Sequence, residues 1–408
     1  MFDSVFSILD GKIEDVVSLQ GKLVSIPALG PLNGGDGEKD KAEFFKSYLN
    51  KIGMTDIQEF NAPDSTVPCG YRPNVMATIP GKDTSRTLWI IAHIDVVPPG
   101  EADLWNTDPY TLHREGDKIY GRGVEDNHQG LVSGLMMAEV LIKENITPAI
   151  NVAILAVADE ETGNTFGLEY MVESHPDLFG KNDFFLVPDS GEENGEEVEV
   201  AEKSMMWAKV TVVGKQCHAS TPNQGNNSLV AAAAMIIKVR NLYNIFNERD
   251  ELFSPAVSTF EPTMKEANVT NVNTLPGKDV FYIDCRVLPQ YDLNDIYAQL
   301  EAFAKETELE FGVKITLEVV QSEQAAPATD ANCEFVQKLS EMIKLVYNNN
   351  PRPVGIGGGT VAAILRRKGF DAIVWSSLMH NAHQPNESSS LSKTIGDAKV
   401  MAALALTL

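Results

Sequence analysis

Two apolar runs decide the fold, LWIIAHID at residues 88–95 and NVAILAVAD at residues 151–159. Each run is short, rich in large aliphatic residues and followed by acidic residues, which is typical of a strand buried on both faces. A third run, DFFLVPD at 183–189, has the same form. Helical patterns at about 129–145 and 166–174 separate these strands, and this alternation predicts an α/β sheet with helices on both faces.

The pattern changes on either side of these strands. Nearer the N-terminus, residues 12–27 and 38–53 have the apolar spacing of amphipathic helices. Further along the chain, the acidic stretch GEENGEEVEVAE at 191–202 interrupts the alternation. We interpret it as a solvated loop and sheet edge, because runs of like charge usually face water.

The region after the acidic stretch has a different rhythm. Its predicted elements are strand 205–213, helix 228–246, strands near 256–260 and 279–287, helix 292–305 and strand 313–321. This βαββαβ order is that of a ferredoxin-like unit. Helix–strand alternation then resumes, so the smaller domain is inserted into the larger one. The predicted segments are a first domain in two parts, 1–203 and 325–408, and an inserted domain at 204–324.

Composition excludes several classes of partner. Acidic residues outnumber basic ones 57 to 33, which gives a formal net charge of -24 and disfavours nucleic acids and anionic membranes. We find no signal peptide and no run of 18 apolar residues, so we expect no membrane span. The four cysteines are scattered without a CxxC pair, which indicates free thiols and fits a cytoplasmic protein.

The ends of the predicted strands carry metal-binding residue types. His93 and Asp95 close the first strand, and residues two apart on a strand point to the same side. A carboxylate beside a histidine can accept its second ring proton and so fix the nitrogen that faces a metal. Two ordinary polar residues at a strand end remain the alternative interpretation.

Four further motifs add acids and histidines. They are Asp126 before the 129–145 helix, Asp159, Glu160 and Glu161 after the second strand, Asp189 after the third, and His380 and His383 near the C-terminus. A helix cap is the alternative for Asp126, and a solvated turn is the alternative for the three adjacent acids. Ligands gather at the carboxyl ends of such strands, and imidazole with carboxylate suits zinc, with Co²⁺ or Mn²⁺ possible.

Five motifs together resemble a known superfamily. HIDVVP, GRGVED, DEETGN, VPDSG and HQPNE occur in the order and approximate spacing of the aminoacylase, carboxypeptidase G and succinyl-diaminopimelate desuccinylase superfamily of metallopeptidases. The resemblance covers essentially the whole chain. It implies a zinc-exopeptidase-like α/β catalytic domain with an inserted ferredoxin-like dimerisation and lid domain, and a homodimer.

The resemblance also implies a role for each matched residue. Two Zn²⁺ ions would have five ligands: Asp126 between the ions, His93 and Asp189 on one, and Glu161 and His383 on the other. Glu160 would be the general base, and Asp95 would orient His93. His380, three residues before the matched histidine, is interpreted as a neighbour. Relatives often have a lysine and two glycines after the bridging acid, whereas this chain has Asn127, His128, Gln129 and Gly130.

Three histidines match nothing catalytic. His113, His128 and His175 are expected to be surface or capping residues. His218, in GKQCHASTP, matches a superfamily motif, which implies that it donates a hydrogen bond to the substrate carbonyl of a neighbouring subunit. A solvated loop histidine is the alternative.

Other residues predict a site for an anionic substrate end. Glycine-rich GIGGGT at 355–360 precedes a helical pattern, so Gly358, Gly359 and Thr360 could present N–H groups to a carboxylate, although a plain tight turn is the alternative. The resemblance implies that Arg286 and Asn273 hold this carboxylate, and a surface ion pair is the rival interpretation for Arg286.

The expected function is hydrolysis of an N-acyl amino acid that has a free carboxylate, as in a desuccinylase or deacetylase. A dipeptidase or carboxypeptidase of the same superfamily is the alternative. A metal-free binding protein on the same fold is a third hypothesis, which the intact Glu160 and the complete ligand set disfavour.

Overall fold

The chain divides into two units in a computed structural model that describes residues 2–408. One unit comprises the chain up to Val200 together with Thr329–Pro353 and Thr360–Leu408. The other comprises Ala201–Ala328 and the short segment Val354–Gly359. The chain therefore passes between the units four times.

Helices form both ends of the chain, and the strands lie between them. The helices are α1 Phe2–Asp10, α2 Ile13–Val24, α3 Lys39–Ile52, α4 His128–Lys143, α5 Leu168–Ser174, α6 Ser228–Val239, α7 Leu242–Ile245, α8 Leu293–Phe311, α9 Glu334–Tyr347, α10 Ala362–Arg367 and α11 Leu391–Thr407. The strands are β1 Ile57–Pro63, β2 Tyr71–Ile79, β3 Asp83–His93, β4 His113–Glu115, β5 Lys118–Tyr120, β6 Ile150–Val157, β7 Phe184–Val187, β8 Glu197–Glu202, β9 Ser204–Val213, β10 Cys217–His218, β11 Thr259–Lys265, β12 Thr274–Leu275, β13 Lys278–Val287, β14 Lys314–Glu323, β15 Arg352–Ile356, β16 Ala372–Val374 and β17 Ser388–Ser390.

A mixed sheet in the order β1-β2-β6-β3-β7-β16-β8-β15 forms the centre of the first unit. Strands β6, β3, β7 and β16 run parallel to one another, and every residue of β7 is buried. Helix α4 packs against β3 and α11, and all of its residues from His128 to Leu141 are buried. A helix that is apolar around its circumference belongs in the interior. The predicted α/β fold class is confirmed.

The acidic stretch is more ordered than the sequence suggested. Its second half forms β8, which is buried along most of its length in the main sheet. Glu199 of this strand accepts a hydrogen bond from Arg366 Nη1 at 2.8 Å, and both side chains are almost fully buried. The expectation of a solvated loop is wrong for this half, because an arginine from α10 neutralises the charge that would otherwise keep the strand in water.

An antiparallel sheet in the order β11-β13-β9-β14 forms the second unit. Its elements follow the chain as β9, α6, β11, β13, α8 and β14, which is the predicted βαββαβ order. Apolar side chains of both helices pack on the sheet around Phe260 and Phe281. The predicted helix at 228–246 ends at Val239, and the short α7 follows it.

The segment Val354–Gly359 completes the second unit from a distant part of the sequence. Gly355 N donates to the carbonyl oxygen of Leu252 at 2.7 Å, and Lys203 N donates to that of Ile356 at 2.9 Å. A Cβ atom on Gly355 would lie 2.3 Å from the Phe253 ring, so only glycine fits there. Among residues 2–408, no helix is both long enough and apolar enough to cross a bilayer.

Candidate metal centre

The predicted ligands converge at one edge of the main sheet. Strand β3 ends at His93, which lies beside Val157, the last residue of the parallel strand β6. Strand β7 flanks β3 on the other side and ends two residues before Asp189. Because the carboxyl ends of parallel strands share an edge, residues far apart in sequence meet here.

The first ligand cluster consists of His93, Asp126 and Asp189, whose ligand atoms all lie within 4.8 Å of one another. His93 Nε2 is 2.7 Å from Asp126 Oδ1 and 3.6 Å from Asp189 Oδ1. Its Nδ1 lies 3.0 Å from the carbonyl oxygen of Asp95, so Nδ1 carries the proton in the neutral ring. Nε2 is then free to bind a metal. The His93 side chain is only 2% exposed.

The second cluster consists of Asp126, Glu161 and His383. His383 Nε2 is 3.1 Å from Asp126 Oδ2 and 3.0 Å from Glu161 Oε2. Asp126 thus presents Oδ1 to one histidine and Oδ2 to the other. The His383 side chain is 55% exposed and its backbone has a left-handed φ of 62°, so it lies on an open loop rather than a strand.

The donors fit two zinc ions that share a carboxylate. Each cluster supplies one imidazole nitrogen, one terminal carboxylate and one oxygen of Asp126, which is a nitrogen–oxygen set that suits Zn²⁺ and leaves a coordination position open. Glu160 belongs to neither cluster, and its Oε2 lies 4.0 Å from His93 Nε2. It is therefore close to the ligands without being one of them.

Asp95 organises the turn that carries both glutamates. Its Oδ1 accepts a hydrogen bond from Glu160 N at 3.1 Å, and its Oδ2 accepts one from Glu161 N at 3.0 Å. The Asp95 carboxylate lies 3.5 Å from His93 Nδ1, whereas the backbone carbonyl oxygen of Asp95 lies 3.0 Å from the same nitrogen. In this structure Asp95 therefore orients His93 mainly through its main chain and orients Glu160 and Glu161 through its side chain.

The electrostatics of the edge favour cations. Burial opposes the charged form of His93, but hydrogen bonds with the surrounding aspartates raise its pKa well above the ordinary value. Hydrogen bonds with Asp126 and Glu161 raise the pKa of His383 to about 10. Burial and the charges of neighbouring carboxylates raise the pKa of Glu160 well above its ordinary value. The carboxylates at this edge thus stabilise positive charge, which favours binding of a cation.

Residues to which the sequence interpretation gave no role in the site support the ligands. Asn127 Nδ2 donates to Asp189 Oδ1 and to the carbonyl oxygen of Pro188, the latter at 2.8 Å. Glu125 and Glu387 are fully buried and accept hydrogen bonds from the loops around Asp126 and His383. Both glutamates stand inside the motifs GRGVED and HQPNE, so motif membership was the signal that pointed to them.

Two other histidines of this unit have different surroundings. His380 Nε2 lies 3.3 Å from Glu192 Oε2 on the surface, apart from both ligand clusters. His128 is completely buried, and its Nε2 lies 2.9 Å from Lys41 Nζ. The expectation that His128 is a surface or capping residue is wrong, because its side chain is buried inside α4 and α3 brings a lysine 87 residues away in sequence against it.

The second unit brings His218 and Asn273 together. Strands β10 and β12 pair His218 with Thr274, and Ala219 N donates to the carbonyl oxygen of Asn273 at 2.8 Å. Ser220 N donates to His218 Nδ1 at 3.2 Å, so Nε2 carries the proton in the neutral ring. His218 is exposed, and its Nε2–H is available as a hydrogen-bond donor.

Arg286 lies on β13 beside the glycine-rich segment. Its Nη1 donates to the carbonyl oxygen of Gly357 at 2.9 Å, while Nε and Nη2 donate to the two carboxylate oxygens of Asp284 at 2.9 and 3.1 Å. The ion pair that rivalled a substrate role is therefore present. A Cβ on Gly358 would meet no atom within 4 Å, and Thr360 Oγ1 accepts from Ala362 N at 3.3 Å at the start of α10.

The sequence matches a known family and curated relatives. Residues 89–407 match the sequence model described as peptidase family M20/M25/M40. An uncharacterized metallohydrolase of Methanocaldococcus jannaschii is 39% identical over 404 residues, which cover 95% of this chain and 98% of that protein. A succinyl-diaminopimelate desuccinylase of Nitratiruptor sp. is 24% identical over 382 residues, which cover 92% of this chain and 95% of that protein.

The fold also matches solved structures. Human carnosine dipeptidase 1 aligns with a TM-score of 0.74 at 16% sequence identity, over 99% of this chain and 98% of that protein. At this identity the likeness concerns the fold alone. Together with the family match, it confirms the resemblance inferred from the five motifs.

Proposed function

The chain belongs to peptidase family M20/M25/M40 and is a metallohydrolase, and on this premise we propose that it is a two-zinc amidohydrolase acting on N-acyl amino acids. One observation carries the proposal. Asp126 turns one oxygen towards the His93 cluster and the other towards the His383 cluster, and Glu160 Oε2 lies 4.0 Å from His93 Nε2. This is the arrangement that a shared carboxylate between two ions requires.

The metals would be held by the five ligands described above, with Co²⁺ or Mn²⁺ as possible substitutes. When bound, a pair of zinc ions lowers the pKa of water towards about 7 and polarises a carbonyl group. The anionic surroundings that raise the pKa of both ligand histidines support binding of divalent cations at this edge.

Glu160 is the proposed general base. It accepts a proton from the attacking water and passes it to the departing amide nitrogen. Burial and the neighbouring carboxylates raise the pKa of Glu160 in the metal-free chain, which is the direction that makes it a stronger base. The two backbone hydrogen bonds to Asp95 hold the Glu160–Glu161 turn, so that one glutamate can bind metal while its neighbour moves the proton.

His218 is the proposed donor to the substrate carbonyl oxygen as that oxygen becomes anionic. The proton on Nε2 supports this role, and such a donor is worth about 3–4 kcal/mol in a transition state. We propose that it acts in the partner subunit of a homodimer formed by the inserted domain, 204–324, which also serves as a lid. Exposed Leu229, Val230 and Ile237 on one side of α6 offer an apolar surface for that pairing.

The substrate's free carboxylate is proposed to bind to five residues that the sequence singled out. Arg286 and Asn273 supply side-chain donors, and Gly358, Gly359 and Thr360 supply backbone N–H groups. The relative named succinyl-diaminopimelate desuccinylase favours an N-succinyl or N-acetyl amino acid. The likeness to a carnosine dipeptidase makes a dipeptide the second candidate, with a carboxypeptidase reaction on longer peptides as its variant.

A metal and substrate screen tests the proposal. Purified protein should contain close to two equivalents of zinc, lose hydrolysis after prolonged chelation, and regain it with Zn²⁺ or Co²⁺. N-succinyl and N-acetyl amino acids should be cleaved faster than dipeptides. Full activity in protein shown to be metal-free would overturn the mechanism, whereas preference for dipeptides would replace the substrate class alone.

Mixed dimers test the role of His218. Chains carrying His218→Ala or Glu160→Gln should each be nearly inactive, and exchange of subunits should restore activity. A mixed dimer would contain one site with both residues intact. A tag on one parent verifies exchange, and no recovery in proven heterodimers would show that His218 does not serve a neighbouring subunit.

A further inference from the structure

Two buried glutamates cross-link the loops that carry Asp126 and His383. Glu125 precedes Asp126, yet its carboxylate accepts hydrogen bonds from the distant backbone of Met379 N and Asn381 N, the latter at 2.7 Å. Both donors are on the segment that leads to His383. Glu125 is fully buried, so water cannot replace these bonds.

Glu387 makes the reciprocal connection. It follows His383, and its carboxylate accepts from Gly123 N at 3.0 Å, Glu125 N at 2.9 Å and Asp126 N at 3.1 Å. Arg122 Nη1 donates to the same carboxylate at 2.6 Å. Each loop thus supplies a carboxylate that satisfies the backbone N–H groups of the other loop.

The two glutamates act on different ligands. Glu387 holds the backbone of Asp126, which both metal clusters share. The Glu125 carboxylate holds the backbone of residues 379–381. Asn381 extends this restraint to Ser388, because its Nδ2 donates to Ser388 Oγ at 3.0 Å and its Oδ1 accepts from Ser388 N at 2.6 Å. His383 lies in the loop that these hydrogen bonds close. By contrast, His93 and Asp189 are fixed by the ends of β3 and β7.

We propose that Glu125 is a positioning residue for His383, and through it for the metal bound by Asp126, Glu161 and His383. The inference rests on the proposed two-metal function. It follows from geometry: His383 is half-exposed and belongs to no strand or helix, so its approach to Asp126 and Glu161 depends on what anchors its loop. The carboxylate of Glu125 accepts its hydrogen bonds from this loop, whereas that of Glu387 holds the backbone of Asp126, which both clusters share.

Glu125→Gln tests the proposal, because the amide keeps the shape but turns a donor towards one of the two N–H groups. Chelated, metal-free protein is titrated with Co²⁺ and followed by calorimetry and absorbance. We expect one of the two sites to weaken by about 10- to 100-fold, as supporting residues of metal ligands commonly do, and the other to change by less than about threefold. Glu125→Asp, which keeps two acceptor oxygens, should recover part of the loss.

Two controls separate positioning from general destabilisation. Glu139→Gln changes another buried glutamate of the first unit, one that pairs with Lys12 and Lys143, and should leave both Co²⁺ affinities unchanged. In a His383→Ala background, Glu125→Gln should have no further effect on the remaining site, since the ligand it positions is gone. Urea unfolding of each metal-free variant shows whether the fold is intact.

The outcomes distinguish the inference from the function on which it rests. Equal weakening of both sites, or additive effects of Glu125→Gln and His383→Ala, would overturn the positioning role. Two sites of unchanged affinity in a folded Glu125→Gln protein would also overturn it, with the two-metal proposal intact. Wild-type protein that binds only one Co²⁺ would overturn both.

Discussion

The two ligand clusters share Asp126 but are built differently. His93 ends one core strand, Asp189 follows another, and the His93 side chain is 2% exposed. Glu161 and His383 lie on a turn and an open loop, and the His383 side chain is 55% exposed. The sheet therefore holds the His93 cluster in place, whereas the loop of the His383 cluster depends on additional hydrogen bonds to hold its histidine. We expect the two sites to differ in affinity, stability and pH response.

The largest expected effect is a loss of turnover on replacing Glu160, which belongs to neither cluster. Glu160→Gln should lower turnover by about 10²- to 10⁴-fold, because it removes the proposed general base. Metal content should stay near two equivalents, since neither cluster loses a ligand. Steady-state kinetics and elemental analysis of the same preparation measure both. Near-normal turnover would show that another group is the base.

Removing one histidine from each cluster compares them directly. In metal-free protein, His93→Ala should lower the free energy of unfolding by about 3–5 kcal/mol, because it removes a buried partner from largely buried carboxylates. His383→Ala should cost less than about 1 kcal/mol, because its ion pairs are half-exposed. Urea titrations of the two variants give both values. Equal losses of unfolding free energy in the two variants would mean that exposure does not distinguish the clusters.

The pH dependence of metal-free protein sharpens the comparison. The pKa of His383 is raised to about 10 in the folded chain, against 6.5 for an unperturbed histidine. Its contribution to stability is therefore complete below about pH 6.5 and is lost as the pH rises towards about 10. The difference in unfolding free energy between wild type and His383→Ala should shrink across that window. A difference independent of pH would contradict the assignment.

The smallest effect is expected at His380. It lies on the same loop as His383 but pairs with Glu192 on the surface. Because exposed pairs are worth about 0–1 kcal/mol, His380→Ala should change stability, metal content and turnover little. Loss of a metal ion in this variant would show that the loop's two histidines had been assigned the wrong way round.

The sequence predicted what depends on local pattern. Strand-end positions identified His93 and Asp189, because apolar runs mark buried strands and the chain must leave the sheet at its edge. The βαββαβ order of the second unit followed from periodicity alone. These features require only a few neighbouring residues to be interpreted correctly.

The features that the sequence did not reveal depend on distant partners. Glu199 looked solvated because its arginine partner is 167 residues away. His128 was expected at the surface because no residue close to it in sequence indicates its contact with Lys41. The hydrogen bonds of the Glu125 carboxylate come from two backbone N–H groups, which no side-chain pattern encodes. Buried polar pairs of this kind are set by the tertiary fold.

The segment Val354–Gly359 has a consequence for synthesis on the ribosome. The second unit is nearly all made once Ala328 has emerged, yet Leu252, Lys203 and Arg286 still lack the backbone partners that residues 355–357 provide. Their hydrogen bonds to residues 355–357 can form only after that segment emerges from the exit tunnel. The inserted domain should therefore reach its final stability late in translation, and a fragment cut at residues 201 and 328 should fold less stably than one supplied with the missing peptide.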